Sequence, residues 1–104
     1  MAMNPQAMLK QAKKMQKKME EIQAQVALET VTATAGGGMV TATVTGDLKV
    51  KSIEIDPEAI DPEDAEMLQD MIVAAVNQGI ADAQAMASER MSAVTGGMNI
   101  PGLF

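Results

Sequence analysis

Five lysines, Lys10, Lys13, Lys14, Lys17 and Lys18, fall within nine residues of a chain whose formal net charge is -6. On a helix of about 3.6 residues per turn they share one face, an arc of about 140°. A positive stripe segregated on an otherwise acidic chain is what contact with a phosphate backbone requires. Met8, Ala12, Met15, Met19, Ile22 and Val26 lie on the opposite face. Their spacings form a heptad seam over roughly three heptads. One helix thus offers an apolar seam to a partner surface and ammonium groups to an anion. The competing reading is a solvated face, which charge runs more often are, and Glu20 and Glu21 follow Lys17 and Lys18 as neighbours. Those Lys-before-Glu pairs have the weaker helical orientation. The charges are also sorted along the chain: the 15 residues from Asp56 to Asp70 carry seven acids and no base.

Other chemistries find little support. Asp56, Glu58 and Asp61 begin like a calcium loop, but Pro57 and Pro62 interrupt the segment and the glycine at the sixth position is missing. They read as helix-start and solubility residues, so no metal is expected. Gly36-Gly37-Gly38 is followed by no Gly-Lys-Ser/Thr and joins two strands, so it reads as a turn and not a phosphate cradle. There is no His, Cys or Tyr, and Ser52, Ser88 and Ser92 have no evident base. No enzymatic activity, cofactor or small-molecule substrate is expected. The single aromatic residue, Phe104, leaves no platform for stacking single-stranded bases. Base readout favours Arg, Asn and Gln, and the only arginine is Arg90. Lysine–phosphate contact with duplex DNA, with weak or no sequence preference, is the nucleic-acid mode that remains.

The elements that must position the stripe can be read from the same rows. Asn4-Pro5 is a helix start, Asn as N-cap and Pro at the first helical position. The seam then predicts a helix over 4–28, about 36 Å long. From residue 29 the period changes to two. Glu29 to Thr34 and Val40 to Thr45 alternate small apolar residues with threonine, joined by the glycine turn. Leu48 to Ile55 predicts a third strand, completing a sheet over 29–55. Its apolar phase slips from Leu48 and Val50 to Ile53 and Ile55, so a β-bulge is expected near Lys51-Ser52. Asp61-Pro62-Glu63-Asp64 is a second helix start. Apolar residues at helical spacing carry that helix over 62–95, to Gly96-Gly97, with Gly79 marking a bend or a close backbone approach. Residues 96–104 read as a flexible tail.

The whole is one α+β domain, 1–104: long helix, three-stranded antiparallel meander, long helix. With 11 Met and one aromatic residue the interior is aliphatic and weakly specified. A seven-residue strand reaches only about 23 Å, so both helices overhang the sheet. Their seams exceed what one protomer covers, which predicts a homodimer with protruding helical arms. The absence of cysteine gives no disulfide framework. No stretch approaches the roughly 18 apolar residues of a membrane span, and no apolar signal segment opens the chain. A cytoplasmic location and no membrane partner are therefore expected.

Several segments together resemble the YbaB/EbfC family of small bacterial nucleoid-associated proteins. They are Met8-Leu9-Lys10-Gln11-Ala12-Lys13-Lys14-Met15-Gln16, Gly37-Gly38-Met39-Val40-Thr41-Ala42-Thr43-Val44-Thr45-Gly46, and Val50 with Ile53-Glu54-Ile55-Asp56-Pro57. Glu66-Met67-Leu68-Gln69-Asp70, Ala74-Ala75-Val76-Asn77 and the Pro-Gly tail continue the match. The resemblance implies a tweezers-like homodimer of α-β-β-β-α protomers that binds DNA in the cytoplasm or nucleoid and serves chromosome organisation or gene regulation. It implies DNA contact by both helices, which carries onto Lys10, Lys13, Lys14, Lys17 and Lys18, with Arg90 the candidate on the second helix. The rival reading is a protein-interaction module whose Met-rich surfaces dock a partner protein without direct DNA contact.

Overall fold

The computed structural model describes residues 4–97. Helix α1 (Pro5–Leu28) leads into strands β1 (Thr30–Ala35), β2 (Val40–Thr45) and β3 (Val50–Ile55). Two short 3-10 turns (Pro57–Ala59 and Pro62–Asp64) then lead into helix α2 (Ala65–Gly97). The α-β-β-β-α order matches the sequence expectation. The expected tail residues 98–104 lie outside the described residues.

Helix α1 begins as its local chemistry dictates. The Asn4 carboxamide oxygen accepts the Gln6 N–H at 3.0 Å and Pro5 occupies the first turn, where a missing N–H leaves nothing unpaired. At its far end Glu29 turns extended and caps the helix, its N–H directed at the carbonyls of Gln25 and Val26. Glu29 therefore closes the helix instead of opening the first strand.

The sheet order is β1-β2-β3, antiparallel throughout. Threonines face outward and small apolar residues inward, so Val40, Ala42 and Val44 on the central strand are fully buried. The glycine turn is as read: Gly36, Gly37 and Gly38 all have positive φ, which L side chains rarely adopt. The predicted bulge is present. Thr43 pairs with Ser52 and Val44 with Val50, so Lys51 is the extra residue. Val50, Ile53 and Ile55 thereby share the inner face with Val44, Ala42 and Val40.

Leu48 does not join that row. It sits in the β2–β3 turn at φ 65°, and the strand starts at Val50 instead. The Thr45 hydroxyl holds this turn, with hydrogen bonds to the Asp47 carboxylate and to the backbone of Lys49. A local polar network outweighs the apolar character of Leu48 there.

The second helix also starts later than expected. Asp61 is an N-cap, its carboxylate accepting the Glu63 N–H at 2.9 Å, but the turn it caps is 3-10, and regular α-helix begins at Ala65. Gly96 and Gly97 belong to the described helix. Helix α2 packs across β1 and β2 on a surface of small residues: Ala75 and Ala83 are fully buried, and Ala75 clusters with Val40 and Ala42. Gly79 is a close approach, since a Cβ there would lie 2.7 Å from Val44 Cγ2. Leu68, Met71, Ile72 and Val76 complete the core.

The resulting body is elongated, 75 × 23 × 15 Å. Register fixes its ends. At one end Val40 pairs with both Ala35 and Ile55, and the acidic segment from Asp56 follows. At the other, Thr30 pairs with Thr45, and Gly46 donates its N–H to the Glu29 carbonyl at the root of α1. Helix α1 thus attaches at the end opposite the acids. The 75 Å length exceeds the roughly 50 Å of α2 because α1 projects beyond the sheet.

Candidate nucleic-acid interface

The five lysines of α1 are all exposed. Among the described residues none of them is in an ion pair, Glu20 and Glu21 notwithstanding. Lys14, Lys17 and Lys18 border an open concavity of about 500 Å³, together with Gln11, Met15 and Glu21. Exposed ammonium groups without fixed partners give up little on meeting a phosphate, because no existing bond has to break.

The seam opposite them is graded. Val26 is buried at the root, Ile22 and Met15 are half-buried, and Ala12 and Met19 are exposed. Met8, near the tip, is 54 % exposed. Helix α1 packs on α2, and only the root half of the seam is covered within one chain. An open groove of about 490 Å³ runs beside Ala12, Met15 and Met19. The outer seam residues Met8, Ala12 and Met19 are thus exposed on the same helix as the five lysines.

Arg90 stands apart from the stripe. Its Nη2 donates to Glu29 Oε1 at 2.6 Å, tying α2 to the C-cap of α1. The second Glu29 oxygen is buried without a hydrogen-bond partner. Nothing local in the sequence signals this pair, whose members lie 61 residues apart. Leu9 is also exposed and belongs to neither the seam nor the stripe.

Among the described residues no group of three or more His, Cys, Asp or Glu side chains is arranged to hold a metal ion. No described helix is long and apolar enough to cross a membrane. Electrostatics follow the fold. The seven acids from Asp56 to Asp70 lie at the opposite end of the sheet from the root of α1. At about 0.1 M salt fields fade over roughly 10 Å, so acids at the far end of the sheet are largely screened from the lysines.

The sequence profile of the YbaB/EbfC DNA-binding family matches residues 1–98. The chain belongs to this family. A nucleoid-associated protein of Alkaliphilus metalliredigens is 56% identical over 103 residues, covering 99% of this chain and 90% of that relative. One from Syntrophobacter fumaroxidans is 52% identical over 95 residues, covering 91% and 86% respectively. An uncharacterized protein from Helicobacter pylori, known from its crystal structure, shares the fold: TM-score 0.69, 22% identity, 93% of this chain and 98% of that one. YbaB/EbfC membership and the α-β-β-β-α fold thus agree with the resemblance drawn from the sequence segments.

Proposed function

We propose that this YbaB/EbfC protein is a non-enzymatic homodimer that binds duplex DNA with little sequence preference through Lys10, Lys13, Lys14, Lys17 and Lys18. Its role is chromosome organisation or gene regulation, in the nucleoid and cytoplasm. The observation that carries the reading is the set of five exposed, unpaired lysines on a projecting helix of a chain with net charge -6. The names of the Alkaliphilus and Syntrophobacter relatives support the nucleoid assignment. Arg90, engaged by Glu29, is the weaker contact.

Dimerisation is supported by apolar surface that one chain leaves open. Helix α2 covers β1 and β2 but barely reaches β3. Val50 and Ile53 face inward yet remain 42 % and 40 % exposed. Ile60 and Val73 are exposed as well. Covering four such side chains contributes about 1–3 kcal/mol each when burial is complete, and a second copy supplies the cover with the same patch on both sides.

The test is a quadruple charge reversal, K13E/K14E/K17E/K18E. Duplex binding is expected to disappear, while light scattering still reports a dimer and circular dichroism an intact helix content. Unchanged affinity would overturn the lysine assignment, and a monomeric wild-type protein at micromolar concentration would overturn the dimer.

A further inference from the structure

At the acidic end of the sheet, Met39, Met67 and Met71 line a groove of about 280 Å³ whose rim carries Glu58, Asp61 and Asp64. Gly36 forms part of the wall. A Cβ there would meet the Met71 thioether, so a side chain would push that methionine within the groove. Among the described residues none of the three carboxylates is in an ion pair. A methionine floor under a carboxylate rim suits an apolar side chain flanked by cations, because thioether side chains adapt their shape and the rim selects charge.

The tip of α1 carries that complement. Leu9 is 58 % exposed. On the helix it lies about 140° from Lys14 and only about 40° from Lys13, at the border of the lysine arc and outside the seam. Leu9 with Lys10 and Lys13 is therefore an apolar anchor with two ammonium groups beside it. Tip and groove lie toward opposite ends of a 75 Å body, so one chain does not close the contact on itself.

We propose that the α1 tip of one molecule docks in the Met39/Met67/Met71 groove of another, Leu9 on the methionines and Lys10 and Lys13 against Glu58, Asp61 and Asp64. The contact is heterologous, tip to groove, and so propagates into open chains instead of closing as a dimer does. Lys10 and Lys13 also belong to the DNA stripe, so this inference rests on that reading for one consequence: DNA and the groove compete for the same lysines. Self-association is then a DNA-free reserve that duplex DNA disperses.

Sedimentation velocity without DNA, at about 50 and 300 mM salt, tests the docking directly. The full chain is expected to form concentration-dependent species larger than its smallest unit at low salt and to lose them at high salt. Leu9→Ser, which removes the anchor, and Glu58→Lys, which reverses the rim, each weaken association about tenfold or more. Mixing the two variants restores it, since one retains the groove and the other the tip. Leu9→Ser keeps duplex affinity within about threefold, which separates failure of docking from failure of DNA binding. Absence of salt-sensitive association in the wild type, or a mixture that fails to reassemble, would overturn the proposal. Association lost in Glu58→Lys but intact in Leu9→Ser would put another occupant in the groove and overturn it equally. Large species that bind DNA without dispersing would overturn the competition.

Discussion

The Arg90 guanidinium meets the Glu29 carboxylate at 2.6 Å, joining the last third of α2 to the residue that caps α1. The projecting helix is thereby fixed at its root by a polar tie as well as by the burial of Val26. A half-exposed pair of this kind contributes on the order of 1 kcal/mol after solvent screening. Arg90→Ala is expected to lower unfolding stability by about that amount in urea titration. The salt dependence of DNA binding should stay as in the wild type. A shallower salt dependence in Arg90→Ala would instead make Arg90 a phosphate contact.

Two glycines set how closely the layers approach, and they predict effects of different size. Replacing Gly79 by Ala gains about 1 kcal/mol of helix propensity. The new methyl meets Val44 Cγ2 at 2.7 Å, and a β-branched side chain has few rotamers with which to yield. Overpacking of about 1–3 kcal/mol outweighs the gain, for a net loss near 1 kcal/mol. At Gly46 a Cβ would collide with the Val26 carbonyl oxygen, a backbone atom that no rotamer can move. Gly46→Ala should cost about 3 kcal/mol or more. Chemical denaturation of both variants checks the order, and a smaller loss at Gly46 would contradict the packing described.

The β2–β3 turn predicts a pH effect. The Thr45 hydroxyl, hydrogen-bonded to Asp47, is the largest cause holding that carboxyl below its ordinary value of 3.8, and the Lys49 ammonium acts in the same direction. A depressed folded-state pKa contributes stability above the ordinary value, and this is lost as pH falls through the folded value. Thr45→Val should raise the Asp47 midpoint toward 3.8 and flatten the acid limb of stability against pH. Carboxyl-resolved NMR titration measures the midpoint, and an unmoved midpoint would assign the depression to Lys49.

Those same residues show why some of the fold was legible in sequence and some was not. Thr30 to Thr34 and Val40 to Thr45 alternate strictly because one sheet face is packed and the other wet, so period alone revealed them. The bulge at Lys51 was legible as a phase slip, since each extra residue flips every later side chain. Leu48 misled because a hydroxyl network, not hydropathy, decides that turn. The stripe and seam were legible because one helix carries both. What covers the seam was not, because a heptad records an apolar face without naming its neighbour. The Arg90–Glu29 tie and the Met39/Met67/Met71 groove gather residues far apart in the chain, and no local pattern encodes such meetings.

Fluorescence anisotropy of labelled random-sequence duplex DNA, titrated at 50, 100 and 200 mM salt, tests the lysine interface most directly. Ten stripe lysines in a dimer set a limiting log–log slope of about -9, and half of them engaged gives about -4.5. The account predicts micromolar binding at 50 mM that weakens roughly 500-fold by 200 mM at the latter slope. No binding at 50 mM, or an affinity that salt leaves unchanged, would contradict it and reduce the five lysines to a solvated helix face.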